Sequence, residues 1–586
     1  MSTAQQPPSP RVVPLGFFPA VSVAAGVVFS VVGGGYLSGV LAGHGGALPT
    51  GVYGFLDVLK GLFLSPGDPA AAWPEGSQPG GPVLTWACIV ILALACMLTG
   101  AYVSSKLAMR KAAQRVRGEG FADRAELVRH GVSEKEAVKK AKKTRASLAD
   151  VPLRKIDAAT ATTRIGSLYD AKKEGVYLQY RDGLLVEGPT GSGKTWRVCW
   201  QGVTSAVGPV VATTTRGDLL RSTWAERRKA GQVEVFDPEG LTAFPDKMRW
   251  SILDGCEDPE VALRRAEALV QAMPMDDTKN SGYWNGKAAM LMRGYLYAAA
   301  VTGADLRTVK VWASSRTVKP VRDVLSVDLQ DWDAELGQAL GSKSDSSDDV
   351  ISACTRLLEP LASPALMNAV NVPKGKSADL KALLTEGNNT IYLVSEGHSR
   401  SAAAFTTVLS AELYHVGKQH GLSKPDDRLD PPLRMVLDEM NNVAAIPNMQ
   451  SLITDSGARG IQIWAVVHSA NQNEDRWGRV GGRRLTTESP VRLILPGLGD
   501  DQELASISRL LGNRDEYTSP QAPPRSVPRM SVDQIRQMPA DQGLMLARGM
   551  APVKLHLPTV WEVPDLKERV EANQAAFDEY AAKASV

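Results

Sequence analysis

Residues 184–197 read LLVEGPTGSGKTWR: a short apolar run, a glycine-rich turn and the start of a helical pattern. Residues 188–195 fit G-x-x-x-x-G-K-[ST] without a gap. In such a loop, backbone N–H groups point at phosphates, the lysine reaches the β and γ phosphates, and the next hydroxyl ligates Mg²⁺. The stretch therefore predicts a site for ATP and Mg²⁺. The predicted nucleotide-binding residues are Gly188, Pro189, Thr190, Gly191, Ser192, Gly193, Lys194 and Thr195.

A second apolar run ends in two carboxylates. Residues 431–440 read PPLRMVLDEM, in which the apolar run is interrupted by Arg434 and followed by Asp438 and Glu439. Beside a phosphate-binding loop on the same sheet, Asp438 is expected to hold Mg²⁺ through water. Glu439 is expected to polarise the attacking water as a general base. An acidic pair that faces solvent is the alternative, but the two motifs together predict ATP hydrolysis.

Around these motifs, short apolar runs alternate with helical patterns, which favours a parallel sheet with helices on both faces. The alternation stops between residues 256 and 386, where apolar residues recur at helical spacing and predict an all-α insertion. Two runs near the end, 543–549 and 552–558, predict an edge hairpin, and the charged residues after Val563 predict a loose helix. The predicted fold class is therefore α/β, with an inserted all-α domain.

The first hundred residues predict a membrane anchor of two helices. Residues 16–43 and 82–103 are both apolar over more than the ~20 residues that a spanning helix needs. By the positive-inside rule, the basic residues that follow the second run, together with Arg11, place the N-terminus and the body in the cytoplasm at the inner membrane. A cleaved signal peptide is disfavoured because the first run is long and a second follows. The basic residues are Lys106, Arg110, Lys111, Arg115 and Arg117.

Six segments follow from these patterns. The charged linker either contacts anionic membrane lipid or presents a solvated helix face. The segments are the anchor with its short external loop, 1–105; the linker, 106–160; the first part of the nucleotide-binding domain, 161–255; the all-α domain, 256–386; the second part, 387–561; and a charged tail, 562–586.

Composition excludes several classes of protein. The formal net charge is +3 over 586 residues, so a strongly basic field like that of a histone is absent and any contact with nucleic acid is local. The five cysteines are odd in number and widely spaced, without a C-x-x-C pair, which excludes a disulfide framework and a zinc site of that type. The seven histidines form no paired cluster.

Two further side chains are candidates for the hydrolytic site. Arg459, in DSGARG, precedes an apolar run, so it could lie at a subunit edge and reach a neighbour's γ-phosphate. Gln472, in HSANQ, follows the run that comes after the Asp438 strand, where a polar group could sense the γ-phosphate. A surface arginine and a polar loop residue are equally good interpretations.

The chain as a whole resembles the TraG/TraD family of type IV coupling proteins, the ATPases that feed relaxase-bound DNA into a conjugative secretion channel. The likeness runs over residues 164–558 and includes TTTRGDLL, VFDPEG and PGLGDDQELASISRLLG. Its most specific part is residues 437–478, LDEMNNVAAIPNMQSLITDSGARGIQIWAVVHSANQNEDRWG. In one departure, His468 stands where the family usually has a glutamine, which puts nucleotide sensing at that position in doubt.

The resemblance implies a RecA-like motor domain, an all-α domain facing the cytoplasm and a hexameric ring around a channel. It also implies recognition of a relaxase or accessory protein at the helical domain and tail, and contact with components of the type IV secretion channel. A basic loop beside an aromatic residue is a candidate DNA contact, since arginine pairs phosphates and tryptophan stacks bases; a solvated turn is the alternative. Its residues are Arg476, Trp477, Arg479, Arg483 and Arg484.

Two other functions are compatible with an anchored ATPase. An FtsK/SpoIIIE-like translocase of double-stranded DNA would share the phosphate-binding loop and the acidic pair, but it is not expected to carry a helical insertion of this length. A membrane receptor that docks substrate proteins and uses ATP only for assembly belongs to a different class. Transport of protein effectors without DNA is a third possibility within the family.

Overall fold

The computed structural model describes residues 17–44, 48–49, 51–73, 78–116, 120–273, 281–316, 318–341, 345–396, 400–516 and 525–584. The chain divides into two compact units, Met1–Glu119 and Gly120–Val586. Arg11 and Arg117, which the topology prediction uses, lie outside the described residues. The finer boundaries of the six predicted segments remain predictions.

The first unit contains three α-helices, α1 (Phe17–Leu41), α2 (Gly51–Leu64) and α3 (Pro82–Val116), in its described part. Helices α1 and α3 touch at Gly34, where an added Cβ would lie 2.7 Å from the Cα of Ile89, so only glycine allows this approach. A hydrogen bond of 2.8 Å between Ser38 Oγ and Thr85 Oγ1 joins the same two helices. The pair is therefore held by close backbone packing and a buried polar contact.

One helix among the described residues, Pro82–Gly100, is long and apolar enough to cross a membrane. Most of its apolar side chains are exposed, as lipid-facing residues would be, including Val90, Ile91 and Leu98. Within α1, the stretch Gly26–Leu41 is apolar but shorter. The hairpin of two spans stays a prediction.

The second unit is built on one large sheet with helices packed around it. Its strands are β1 (Thr163–Leu168), β2 (Ala171–Leu178), β3 (Leu184–Glu187), β4 (Val210–Thr214), β5 (Val233–Phe236), β6 (Thr390–Val394), β7 (Leu433–Leu437), β8 (Ile461–Val467), β9 (Val491–Ile494), β10 (Asn513–Glu516), β11 (Arg525–Pro528), β12 (Gln542–Ala547) and β13 (Val553–His556).

The α-helices of this unit include long ones that cover the sheet and short ones in its connections. They are α4 (Arg124–His130), α5 (Glu134–Thr144), α6 (Ala158–Ala161), α7 (Trp200–Thr204), α8 (Asp218–Ala230), α9 (Pro259–Ala272), α10 (Ser281–Thr302), α11 (Leu306–Ala313), α12 (Lys319–Asp328), α13 (Gln330–Gly341), α14 (Asp345–Leu357), α15 (Pro364–Val370), α16 (Leu380–Thr385), α17 (Arg400–Leu422), α18 (Met440–Val443), α19 (Met449–Asp455), α20 (Ala470–Glu488), α21 (Asp501–Leu511), α22 (Val532–Arg536) and α23 (Pro564–Ala584).

The large sheet has eleven strands in the order β2-β1-β13-β12-β9-β3-β8-β7-β4-β6-β5, and β10 and β11 pair with each other in a separate two-stranded sheet. Strands β9 through β5 in this order are parallel to one another, whereas β12, β13, β1 and β2 pair antiparallel. The parallel strands are buried throughout except for the half-buried Glu234 on β5 at the sheet edge, as expected where helices cover both faces. The carboxyl ends of β3, β7 and β8 therefore lie side by side, which is where a ligand site forms in such sheets.

The prediction of an edge hairpin at the end of the chain is wrong. Strands β12 and β13 do form a hairpin, but β13 pairs on its other side with β1, and β2 adds a further strand beyond. Pairing with β1 satisfies the backbone groups that a free β13 would expose. The lysine-rich start of β2, AKKEGVYL, alternates weakly, so this added pair gave little signal in the sequence.

Between β5 and β6 the described residues form helices α9 to α16 and contain no strand. Helix α9 packs against α10, and apolar side chains from α10, such as Leu291 and Tyr295, are fully buried. The helical spacing of residues 256–386 thus corresponds to a layer of helices inserted between two neighbouring strands of the sheet.

The C-terminal helix α23 is packed rather than loose. Val570, Phe577 and Ala581 are buried, and the Trp224 ring of α8 stacks on Tyr580 with 4.7 Å between centroids. Arg221 Nε donates to Asp578 Oδ1 over 2.7 Å. The apolar side chains recur along one face of a helix whose other residues are charged, and that face covers α8.

Candidate nucleotide-binding site

The glycine-rich loop lies where the sequence predicts it, between β3 and a helical turn. A π-helical turn, Thr195–Cys199, follows the loop and continues into α7. Gly191 and Gly193 have φ of +86° and +80°, in the left-handed region that residues with a Cβ rarely adopt. The loop therefore needs glycine at these two positions to turn its N–H groups toward a phosphate.

Lys194 is folded back onto its own loop. Its Nζ donates to the carbonyl of Gly188 over 2.6 Å and lies 2.9 Å from Nδ1 of His468. The side chain is buried, and burial lowers the pKa of Lys194, against the opposing effect of the Asp438 and Glu439 carboxylates. A phosphate bound at this loop would give the ammonium group an anionic partner.

Asp438 lies next to Thr195, as the two motifs predict. Thr195 Oγ1 donates to Asp438 Oδ2 over 3.2 Å, and the Glu439 N–H donates to Asp438 Oδ1 over 3.1 Å. Burial raises the pKa of Asp438 to about 6, although the nearby Lys194 opposes this shift. A divalent cation at the same oxygens would favour the ionised carboxylate.

The residues at this point fit Mg²⁺ bound together with phosphates. Mg²⁺ takes few protein oxygens and keeps water and phosphate as its other ligands. The Thr195 hydroxyl and the Asp438 carboxylate supply that small oxygen set. Elsewhere in the described part of the chain, no group of three or more His, Cys, Asp or Glu side chains could hold a metal ion.

Glu439 has a backbone conformation that is uncommon for a residue with a side chain. Its φ is +49°, in the left-handed region, where such strain clusters at functional sites. Its Oε1 lies 3.8 Å from Nε2 of His468, and Asn442 Nδ2 donates to its Oε2 over 3.5 Å. The carboxylate is thus held at the end of β7, beside the phosphate-binding loop and partly open to solvent.

His468 occupies the centre of this arrangement. One ring nitrogen faces Lys194 and the other faces Glu439, so the imidazole bridges the two groups that would contact the γ-phosphate and the attacking water. The departure from the family glutamine therefore lies at the site itself. In the sequence, only the difference from the family glutamine drew attention to His468. Its contacts with Lys194 and Glu439 could not be predicted from the sequence.

Gln472 supports His468 through its backbone. Its Oε1 accepts from the His468 backbone N–H over 3.1 Å, and its Nε2 donates to Asn442 Oδ1 over 3.3 Å. Ser469 caps the helix that carries Gln472, because its hydroxyl accepts from the backbone N–H of Gln472. Within these contacts, His468 therefore lies between Gln472 and Lys194.

Arg459 lies away from the site of its own subunit. It ends a 3₁₀ turn just before β8, whereas His468 follows the last residue of that strand, so the two lie at opposite ends of β8. Its Nη1 pairs with Asp427 over 3.5 Å at the surface. Within one chain Arg459 and Lys194 are not brought together, and a role for Arg459 at a neighbour's nucleotide stays a prediction.

The candidate DNA loop forms helix α20, which is kinked at Gly478. Arg476 donates to the carbonyls of Gln271 and Ala272 at the end of α9, and Trp477 Nε1 donates to Asn441 Oδ1 over 3.0 Å. These two side chains are thus used in contacts within the protein. Three others, Arg479, Arg483 and Arg484, are exposed.

A buried charged cluster beside the loop gave no recognisable signal in the sequence. Glu187, the residue before Gly188, is fully buried and hydrogen-bonded to Arg492 on the neighbouring β9. Glu503 lies close to this pair and accepts from the N–H of Ala470, the first residue of α20. Burial, together with Glu187, raises the pKa of Glu503 to about 7. The cluster connects the phosphate-binding loop to the start of α20 through buried polar contacts.

Comparisons with known proteins are consistent with this site. Residues 432–540 match the family model described as the TraM recognition site of TraD and TraG. That stretch contains Asp438, Glu439, His468 and Gln472. No curated protein matches the chain.

Solved structures of the bacterial plasmid coupling protein TrwB share the fold. TrwB in complex with the non-hydrolysable GTP analogue GDPNP has a TM-score of 0.51 and 16% identity, over 65% of this chain and 86% of that one. TrwB in complex with ADP and Mg²⁺ has the same TM-score and 15% identity, over 65% and 85%. At this identity the likeness concerns the fold, and the family model adds the sequence signature. The match over residues 432–540 and the shared fold agree with the resemblance to the TraG/TraD family of coupling proteins.

Proposed function

We propose that the protein is a membrane-anchored ATPase that couples a DNA or protein substrate to a type IV secretion channel and drives its transfer by ATP hydrolysis. The observation that carries this proposal is the meeting of Lys194, Thr195, Asp438 and Glu439 at one end of a parallel sheet, in a chain that resembles the TraG/TraD family. Each of these groups has a role in phosphoryl transfer to water.

In this proposal the chain's own residues divide the work. Lys194 binds the β and γ phosphates once it leaves the Gly188 carbonyl, and Thr195 and Asp438 hold the cation. Mg²⁺, when bound, neutralises the charge that develops on the phosphates. Glu439 accepts a proton from the attacking water, and His468 keeps the carboxylate and the ammonium group in position. Arg459 contacts the nucleotide of the next subunit in a hexameric ring.

The partners in this proposal follow from the family. The matched region carries the name of a recognition site for TraM, which supports relaxase or relaxosome-bound DNA as the substrate and channel components as neighbours. Arg479, Arg483 and Arg484 are the exposed arginines of α20 that could meet phosphate groups of DNA. Arg483 pairs with Glu474 over 3.5 Å and Arg484 with Glu488 over 3.0 Å, so a phosphate would compete with these carboxylates. The long helical insertion between β5 and β6 favours this function over an FtsK/SpoIIIE-like translocase.

We also propose that the anchor is a hairpin of two spans in the cytoplasmic membrane. A reporter enzyme active only outside the membrane, fused at residue 66, is expected to be active, because charges after α3 keep the body inside. The same reporter fused at residue 150 is expected to be silent. Reporter activity at residue 150 together with silence at residue 66 would show that the topology is the reverse of the proposed one.

Transfer should depend on Lys194. Lys194→Ala is expected to lower the frequency of substrate transfer at least about a hundredfold, because the phosphates lose their main cationic partner. Lys229→Ala, an exposed lysine on α8, is the matched control and should transfer like the wild type. Membrane insertion is measured by fractionation and blotting. It should be equal in the wild type, Lys194→Ala and Lys229→Ala.

Steady-state ATPase assays on the purified full chain distinguish the competing functions. Turnover that depends on Lys194 and rises with single-stranded DNA supports the coupling motor. A stronger response to duplex DNA would favour the FtsK/SpoIIIE-like function instead. Wild-type transfer frequency in Lys194→Ala would contradict ATP-driven transfer and leave the docking receptor as the better account.

A further inference from the structure

A nucleotide held by the phosphate-binding loop must also place its ribose and base. Backbone N–H groups at the start of the helix bind the α and β phosphates, so the ribose and base continue past the first helical turn. The first side chain after the Mg²⁺ ligand Thr195 is that of Trp196. None of the residues assigned above accounts for recognition of the base.

Trp196 has an aromatic partner that lies far from it in sequence, after β13. Its ring lies edge to face with that of Trp561, with 5.0 Å between centroids and 60° between planes. Trp196 is half-buried against the core, whereas Trp561 is 39% exposed, and it is the tryptophan with the largest exposed fraction in the described part of the chain. An aromatic surface thus lies beside the residue that follows the phosphate-binding loop.

Trp561 is held in this position by contacts with Arg197, which lies on the same helical turn as Trp196. Arg197, the next residue along, donates through Nη1 to the carbonyl of Leu557, and it pairs with Glu562 over 3.5 Å. Thr559 and Glu562 close the intervening turn with reciprocal side-chain bonds to the backbone, and Val560 is buried. The segment from Leu557 to Glu562 is therefore fixed against the phosphate-binding turn.

The chemistry of the pair suits a nucleobase. Indole faces stack on bases, and such stacking tolerates any base because each has a π face. Larger rings gain more from stacking, so purines should be preferred to pyrimidines. The pair carries an indole N–H on each ring but no ionised group, so discrimination between adenine and guanine is not expected from these two side chains.

We propose that Trp196 and Trp561 form the nucleobase subsite, with the purine stacked on the exposed indole of Trp561. This inference rests on the proposed nucleotide site and extends it to the base. It gives the segment after β13 a direct role in ligand binding, although more than 350 residues separate it from the loop in sequence. The subsite strengthens binding of the whole nucleotide without touching the transferred phosphate.

The test separates the base from the phosphates. Dissociation constants of MgATP and of magnesium tripolyphosphate, which has no base, are measured on the full chain in detergent by titration calorimetry. Trp561→Ala is expected to weaken MgATP at least about tenfold, the effect of losing one stacked base, and to leave tripolyphosphate unchanged. Trp561→Phe should keep most of the affinity. Tyr283→Ala removes another exposed aromatic side chain and should change neither constant.

The outcomes are distinct for the site and for the subsite. Unchanged tripolyphosphate binding in Trp561→Ala also reports that the variant is folded. Equal loss of both ligands, or wild-type MgATP affinity in Trp561→Ala and Trp561→Phe alike, would overturn the base subsite while the phosphate site stands. If the wild type binds neither ligand in a manner that depends on Lys194, the proposed nucleotide site fails and the subsite fails with it.

Discussion

Glu439→Gln is expected to bind MgATP within about twofold of the wild type and to hydrolyse it about 10²–10⁴-fold more slowly, the usual contribution of a general base. The amide has the same size as the carboxylate and can still face His468 and Asn442, so the loop and the cation ligands are not disturbed. It cannot accept a proton from water. Nucleotide binding and turnover should therefore separate in this variant, whereas Lys194→Ala should lose both.

The measurement is the steady-state hydrolysis rate and the MgATP dissociation constant of the purified full chain. Glu571→Gln, on the exposed side of α23, makes the same chemical change far along the chain and should behave like the wild type. A Glu439→Gln enzyme with normal turnover would mean that another group activates the water. A variant that no longer binds MgATP would instead assign Glu439 to the binding of the nucleotide.

Arg434→Met is expected to lower the free energy of unfolding by about 3–5 kcal/mol, because each buried acceptor left without its donor costs about 1–3 kcal/mol. Arg434 is fully buried on β7. Its Nε donates to Gln462 Oε1 over 2.9 Å, its Nη1 to the carbonyl of Gly202 over 3.0 Å, and its Nη2 to Thr163. Methionine fills part of the volume but leaves these acceptors without donors.

The charge of Arg434 is also stabilised by aromatic faces. The guanidinium lies 4.7 Å from the centroid of the Tyr180 ring and 5.0 Å from that of Trp464, within the range of a cation–π contact. Burial lowers the pKa of Arg434, and the aromatic faces and neutral acceptors around the guanidinium favour its charged form. Arg434→Lys should lose much of the stability as well, because a single ammonium group cannot replace the planar fork.

Thermal unfolding of the full chain, followed by the fluorescence of its tryptophans, measures this effect. Arg228→Met, at an exposed position on α8, is the control and should leave the midpoint unchanged. A midpoint for Arg434→Met equal to that of the wild type would show that the buried network relaxes around the new side chain. The expected ranking is wild type, then Arg434→Lys, then Arg434→Met.

The sequence was sufficient for the parts of the site that depend on local pattern. The loop at residues 188–195 has a fixed spacing, and its chemistry requires a strand before it and a helix after it. Asp438 and Glu439 follow an apolar run, and neighbouring parallel strands bring such ends together. Thr195 and Asp438 do lie within hydrogen-bond distance, while their roles at a nucleotide stay predictions. The family model that matches residues 432–540 agrees with the resemblance.

The remaining features depend on partners that are distant in the chain. In the sequence, Arg434 is only an interruption in an apolar strand. Its buried role depends on contacts with Gln462, Gly202 and Tyr180, which the sequence pattern does not identify. The hairpin at residues 542–556 reads as an edge because β1, which pairs with it, comes nearly 400 residues earlier. Periodicity describes which side of an element is apolar, but it does not identify the element that covers it.

Helix α23 bears on how the C-terminal region can be studied by deletion. Its apolar side covers Trp224 and Phe244, and Arg569 pairs with Glu226 over 2.6 Å. A chain shortened at residue 563 would leave these aromatic rings in water, and exposed aromatic patches of this kind promote aggregation. Loss of partner binding after such a truncation would then report misassembly as readily as a missing recognition element. Charge-reversal substitutions on the solvent side of α23 change the surface that a partner protein would contact. They leave the apolar side packed on Trp224 and Phe244.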